Sequence, residues 1–164
     1  MDGIRALWNG QCMYSRSGKV LHLPDHIWKE FPNVSLDGEL WAGRGTLEKL
    51  VAILSSKNSQ DWSGVKYCVF DLPDSPETYE VRMDKLSKLK FPPHIQVVAR
   101  QQCEGNDHLQ KLLSSICENG GEGLMAVRPG SHYTPFRSSN ILKIKVTEVA
   151  IFNNLSCRDL MTLK

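Results

Sequence analysis

No stretch of these 164 residues approaches the roughly 20 consecutive apolar residues of a membrane-spanning helix, and polar side chains stand where a secretion signal would carry its apolar core. Membrane association is therefore not expected. The five cysteines, Cys12, Cys68, Cys103, Cys117 and Cys157, are odd in number and form no C-x-x-C or Cys/His ligand pair, which argues against a disulfide framework and a structural zinc. We expect reduced thiols in a soluble intracellular protein whose exact compartment the sequence leaves open. Repeats, low-complexity tracts and linkers are missing too, so one domain is the default reading. A large excess of one charge is also lacking, since 20 Lys+Arg against 18 Asp+Glu leave a net charge of +2, and any cationic surface must be local. Gly43-Arg44-Gly45 lacks the lysine and serine of a P-loop, and His22, His26, His94, His108 and His132 show no metal-ligand spacing.

What the sequence does contain is many short strands interspersed with a few helices. Ile4–Trp8 and Gln11–Tyr14 flank Asn9-Gly10, a dipeptide suited to a hairpin turn because both residues tolerate positive φ. Leu36–Trp41, Val65–Asp71, Ile95–Arg100, Gly123–Val127 and Ile141–Val146 read as further strands. Helices are expected from Pro24 to Phe31, after Gly45-Thr46, from Pro76 to about Leu89, and after a capping Asp107, where Leu109, Leu112, Leu113 and Ile116 share one face. Lys85, Lys88 and Lys90 fall at a helix end, where cations favour the dipole. The opening hairpin and the missing helices between early strands favour a mixed α+β domain with largely antiparallel sheets over a doubly wound parallel one.

Several residues carry chemistry suited to a charged nucleotide. Arg5 and Arg16 fall on adjacent hairpin strands or their ends, where guanidinium forks can grip phosphate. Lys143 and Lys145 are two apart, which on a strand directs both amines to one face. Glu39 and Glu122 stand among glycines that permit close approach of a ligand, and carboxylate oxygen is the donor magnesium prefers. Phe70 ends an apolar strand, where a ring can stack on a purine or simply pack in the core. Asp2 and Asp71 read equally well as hydrogen-bond acceptors at strand ends.

The order of these groups carries a resemblance. Asp2-Gly3-Ile4-Arg5 matches the end of the K-x-D-G-x-R signature of covalent nucleotidyltransferases, and it is followed by Ser15-Arg16, Asp37-Gly38-Glu39, Tyr67 to Asp71, Glu122-Gly123-Leu124-Met125 and Leu142-Lys143-Ile144-Lys145. Six elements in that order resemble the adenylation domain of ATP-dependent DNA ligases, most closely the small bacterial type. The resemblance implies an ATP-grasp-like nucleotidyltransferase fold over residues 1–146, with mixed, largely antiparallel sheets and flanking helices. It implies nucleotide binding by Asp2, Gly3, Arg5, Arg16, Glu39, Phe70, Lys143 and Lys145, with adenine stacked on Phe70, and metal binding by Glu39 and Glu122. ATP, Mg2+ or Mn2+, and nicked double-stranded DNA follow as cofactors and partners of a monomer that seals nicks in repair, replication and recombination.

Two departures qualify this. Family members attack ATP with a lysine two residues before the signature aspartate, a position that here precedes Met1; Lys19 and Lys29 belong to other elements and cannot substitute in line. The chain as given is therefore expected to be unable to adenylate itself, with no catalytic nucleophile to assign. Met1 reads as an internal methionine of a longer ligase, the alternatives being a non-catalytic nucleotide-binding relative and an RNA ligase or capping-type enzyme. The OB-fold that follows in the family is essentially absent: residues 147–164 hold at most its first strand, Val146–Phe152, and an unassigned tail.

Overall fold

In the computed structural model, which describes residues 2–56, 62–145 and 161–163, the chain divides into two units, one formed by Met1–Pro76 with Arg82–Val97 and the other by Glu77–Val81 with Val98–Lys164. The expected α+β class, with mainly antiparallel sheets, is what the chain adopts.

In the first unit, β1 (Ile4–Trp8), β2 (Met13–Ser15), β3 (Val20–Leu21), β4 (Leu36–Trp41), β5 (Lys66–Asp71) and β6 (Ile95–Val97) form a six-stranded sheet in the order β3-β2-β1-β4-β5-β6. Only β5 and β6 pair in parallel. The helices of the early chain are α1 (Asp25–Trp28), α2 (Leu47–Ser55) and α3 (Tyr79–Lys88). One face of the sheet is apolar by simple alternation: Ala6 and Trp8, Leu36 and Leu40, and Tyr67 and Val69 are all buried. Gly38 keeps that face closed, because a Cβ there would lie 2.6 Å from the Tyr67 ring. The space lets the Tyr67 hydroxyl reach the carbonyl oxygens of Ala6 at 2.9 Å and Leu36 at 2.8 Å, linking β1, β4 and β5 from below.

The opening hairpin forms, but not on a two-residue turn. Trp8 pairs with Met13, leaving Asn9–Cys12 as a four-residue loop in which the Asn9 side chain accepts from the Gln11 and Cys12 amides at 2.9 and 2.8 Å. An Asx turn has replaced the expected tight one. α1 is shorter than the apolar spacing suggested, and α3 starts three residues after Pro76.

The second unit holds β7 (Arg100–Gln102), α4 (Asn106–Glu118), β8 (Leu124–Val127), β9 (Ile141–Ile144) and β10 (Met161–Leu163), its four strands ordered β7-β10-β8-β9. The predicted strand Ile95–Arg100 is split, its beginning in one sheet and its end in the other. Leu109 and Leu113 of α4 pack with Leu124, Ala126 and Ile144, as the helical spacing required. Gly105, not Asp107, occupies the N-cap of α4, and Asp107 lies inside the first turn, where its charge still favours the helix dipole. The expected strand Val146–Phe152 lies outside the described residues. Met161–Leu163, in a tail with no expected structure, pairs with both β7 and β8.

Candidate functional site

Opposite the apolar face of the first sheet, β1, β4 and β5 carry the polar residues singled out by the sequence. Arg5 faces Glu39 across the β1–β4 ladder, and Asp37 is the diagonal neighbour on the same face. Arg5 selects the diagonal partner: its Nε and Nη2 donate to the two Asp37 oxygens at 3.2 and 2.6 Å. Asp37 is buried and Arg5 half exposed, so the fork fixes the arginine at the sheet surface. Arg5 also sits over the Phe70 ring, 5.7 Å from its centroid.

Glu39 takes part in no hydrogen bond or ion pair among the described residues. Its side chain runs across Gly3, where a Cβ would come within 2.8 Å of Oε1 and would also collide with the Leu40 carbonyl. Gly3 is thus required by the path of Glu39, which explains why an Asp-Gly dipeptide here is more than a turn. Asp2 precedes this contact and is exposed. Arg16 follows directly after the Ala6–Ser15 pair, exposed in the turn where the Ser15 amide donates to the Lys19 carbonyl at 2.8 Å.

Phe70 owes its position to an irregularity. Gly38 pairs with Val69 and Asp37 with Asp71, so Phe70 is the extra residue of a β-bulge on β5. A bulge leaves its residue outside the ladder and re-aims the side chain. Directly after it, Asp71 is bound by Arg82 of α3, Nε to Oδ1 at 2.6 Å and Nη2 to Oδ2 at 3.0 Å, while the Leu72 amide also donates to Oδ1 at 2.8 Å. Arg82 was not foreseen. Its signal was present in the sequence: it falls on the stripe of Tyr79, Met83 and Leu86, all buried, where an arginine requires a carboxylate partner.

In the second unit, Lys143 of β9 pairs with Met125 of β8, and Glu122 lies just before β8. Lys143 Nζ donates to Glu122 Oε2 at 2.7 Å. That hydrogen bond holds the Glu122 carboxyl below its ordinary range, and the Lys143 and Lys145 charges act in the same direction against a weak opposing effect of burial. Gly123 adopts φ +148, and a Cβ there would strike the Ile144 carbonyl, so only glycine lets Glu122 approach β9. Lys145 is exposed immediately past the end of β9.

The structure therefore brings Gly3, Arg5, Glu39 and Phe70 onto one surface of the first unit, and Glu122 with Lys143 onto the second. Glu39 and Glu122 belong to different units, and among the described residues no three His, Cys, Asp or Glu side chains gather as a metal site. Cys12, Cys68, Cys103 and Cys117 are free, and none of the described helices is long and apolar enough to cross a membrane.

Comparison with known proteins gives a consistent result. Residues 1–145 match the family model of the ATP dependent DNA ligase domain. A DNA ligase of Haemophilus influenzae is 33% identical over 148 residues, covering 88% of this chain and 55% of that protein. A solved structure from a structure-function analysis of Lig E DNA ligases, described as binding DNA with a minimal scaffold, aligns with 88% of the chain and 59% of its own at 32% identity and a TM-score of 0.81. The adenylate form of Chlorella virus DNA ligase, at 19% identity and a TM-score of 0.75, shares the fold. The chain thus spans little more than half the length of these relatives.

Proposed function

The chain belongs to the ATP-dependent DNA ligase family through its adenylation domain, and from that premise we propose that it binds ATP as the nucleotide-handling part of a nick-sealing ligase. The observation that carries this reading is the shared surface of Arg5, Glu39 and Phe70, built by a glycine that clears the path of Glu39 and a bulge that frees Phe70 from its ladder. On this reading the purine stacks on Phe70 and the phosphates meet Arg5, Arg16, Lys143 and Lys145, with Asp2 and Gly3 shaping the entrance. Glu39 has a carboxylate without a partner among the described residues, which fits a magnesium donor; Glu122 joins only by loosening its bond to Lys143. A bound divalent ion would neutralise charge on the triphosphate.

In a complete ligase the reaction runs through lysine-AMP and a DNA adenylate, with nicked duplex DNA as partner. The 164 residues hold no lysine two places before Asp2, and on this reading they bind nucleotide as a monomer without becoming adenylated. Residues 147–164 are assigned, on the same reading, to the start of an OB-fold. Incubation with labelled ATP and magnesium followed by denaturing electrophoresis tests the reading. The 164-residue chain is expected to stay unlabelled while calorimetry detects ATP binding, and an in-frame upstream extension ending in lysine is expected to become labelled. Absence of ATP binding by the folded chain overturns the reading.

A further inference from the structure

A bulge gives Phe70 freedom from the ladder, and the same freedom removes the backbone hydrogen bonds that would fix where its ring points. Something else has to hold it. The residues that flank the bulge are both aspartates, paired across the strands as Asp37 and Asp71, and each is gripped by an arginine through two hydrogen bonds. Arg5 holds Asp37 from the open surface, and Arg82 holds Asp71 from the interior, where the arginine is 1% exposed and the aspartate 5%.

A buried ion pair is a poor way to add stability, because desolvating two charges costs about as much as their attraction returns, and well-packed apolar pairs do as well. What a guanidinium fork adds is direction: two parallel bonds fix the plane of the carboxylate as well as its distance. Asp71 spends its remaining capacity on the Leu72 amide, so the backbone immediately after Phe70 is tied to α3 at three points. An apolar contact between α3 and β5 would fill the same space without setting that angle.

We propose that Arg82, acting through Asp71, is a positioning residue for the nucleotide base: it sets the aim of Phe70 and thereby the affinity and selectivity for purines, without touching the ligand. The proposal rests on the reading that Phe70 stacks on the base. Arg82→Lys keeps the charge and loses the fork. Arg82→Met with Asp71→Leu removes both charges and keeps an apolar filling.

Calorimetry with ATP, CTP and inorganic tripolyphosphate, each beside a thermal melt, separates the possibilities. Arg82→Lys is expected to weaken ATP about tenfold, the scale of one stacking contact, and to narrow the preference for ATP over CTP, with tripolyphosphate binding unchanged. The same change made on Phe70→Ala is expected to add nothing, because the ring through which it acts is gone. The apolar double variant is expected to lose the same selectivity while remaining folded. Equal losses for ATP and tripolyphosphate, full additivity with Phe70→Ala, or a folded variant with the wild-type ATP preference each overturn the positioning role. So does failure of both variants to fold, which would make the pair a support of the fold alone. Wild-type ATP affinity in folded Phe70→Ala is a different result: it removes the stacking reading itself.

Discussion

Asp71–Arg82 and Glu122–Lys143 are the same chemistry at nearly the same distance, 2.6 Å for the first and 2.7 Å for the second, in opposite surroundings. The side chains of the first pair are 2% and 7% exposed, those of the second 49% and 44%. In the first, each partner is trapped by the cost of leaving the other charged and unsolvated, so the pair behaves as a fixed joint. In the second, water can replace either partner, and an incoming phosphate or metal can compete for Lys143 or Glu122 with little penalty. Arg5–Asp37 lies between them, with an arginine 44% exposed and an aspartate 2% exposed. The three pairs form a series in which burial separates groups that shape the site from groups available to a ligand.

The largest effect is expected at the buried end. Arg82→Ala leaves Asp71 charged in the interior and should reduce stability by about 3–5 kcal/mol in denaturant unfolding at neutral pH. A loss below about 1 kcal/mol, the range of an exposed pair, would break the comparison at its strongest point. Arg5→Ala should fall between the extremes, at about 1–3 kcal/mol, because Asp37 loses a charged donor while the space vacated opens to solvent.

Legibility in the sequence follows the same series. Glu122, Lys143 and Lys145 were found because their spacing and their glycine neighbours sit in a strand-loop-strand order that the fold preserves. Gly3 and Glu39 were found in sequence, but their mutual contact, an Asp-Gly chosen to let a carboxylate pass, is a tertiary fact. Asp71 was left as a plain acceptor and Arg82 went unnoticed, because a helix pattern is read by its apolar members and the one polar member on the stripe looks like noise until its partner is placed. The bulge at Phe70 and the split of the expected strand Ile95–Arg100 were also invisible, since each depends on which strand the chain meets next rather than on the local residues. The tail is the extreme case: β10 is only three residues long, and its placement between β7 and β8 is decided wholly by pairing.

At the exposed end, stability and binding should separate. Lys143→Ala is expected to change unfolding free energy by less than about 1 kcal/mol, while ATP binding weakens on the order of tenfold through loss of a charge-assisted contact. Matched losses in both measurements would mean that Lys143 is structural and that the contrast with Arg82 is false.

The smallest effect is the sharpest check of the exposed pair. With Lys143 donating to it, Glu122 should titrate below an ordinary glutamate, a shift that carbon-detected NMR of the side-chain carboxyl can follow residue by residue. Because the folded-state value is the lower one, the contribution to stability is present above the unfolded pKa and is lost as pH falls through the folded pKa. Most of that contribution is screened by solvent at this exposure, so the titration itself is the readout and the change in melting temperature is expected to be close to nil. Lys143→Ala should move Glu122 back up toward the ordinary value, with only the Lys145 charge still acting to lower it. Lys145→Ala should produce a smaller displacement in the same direction, since its effect is through space rather than through a hydrogen bond. If Glu122 titrates identically in the wild type and in Lys143→Ala, the pair does not persist in solution, and Glu122 stands beside Glu39 as a second carboxylate open to a metal.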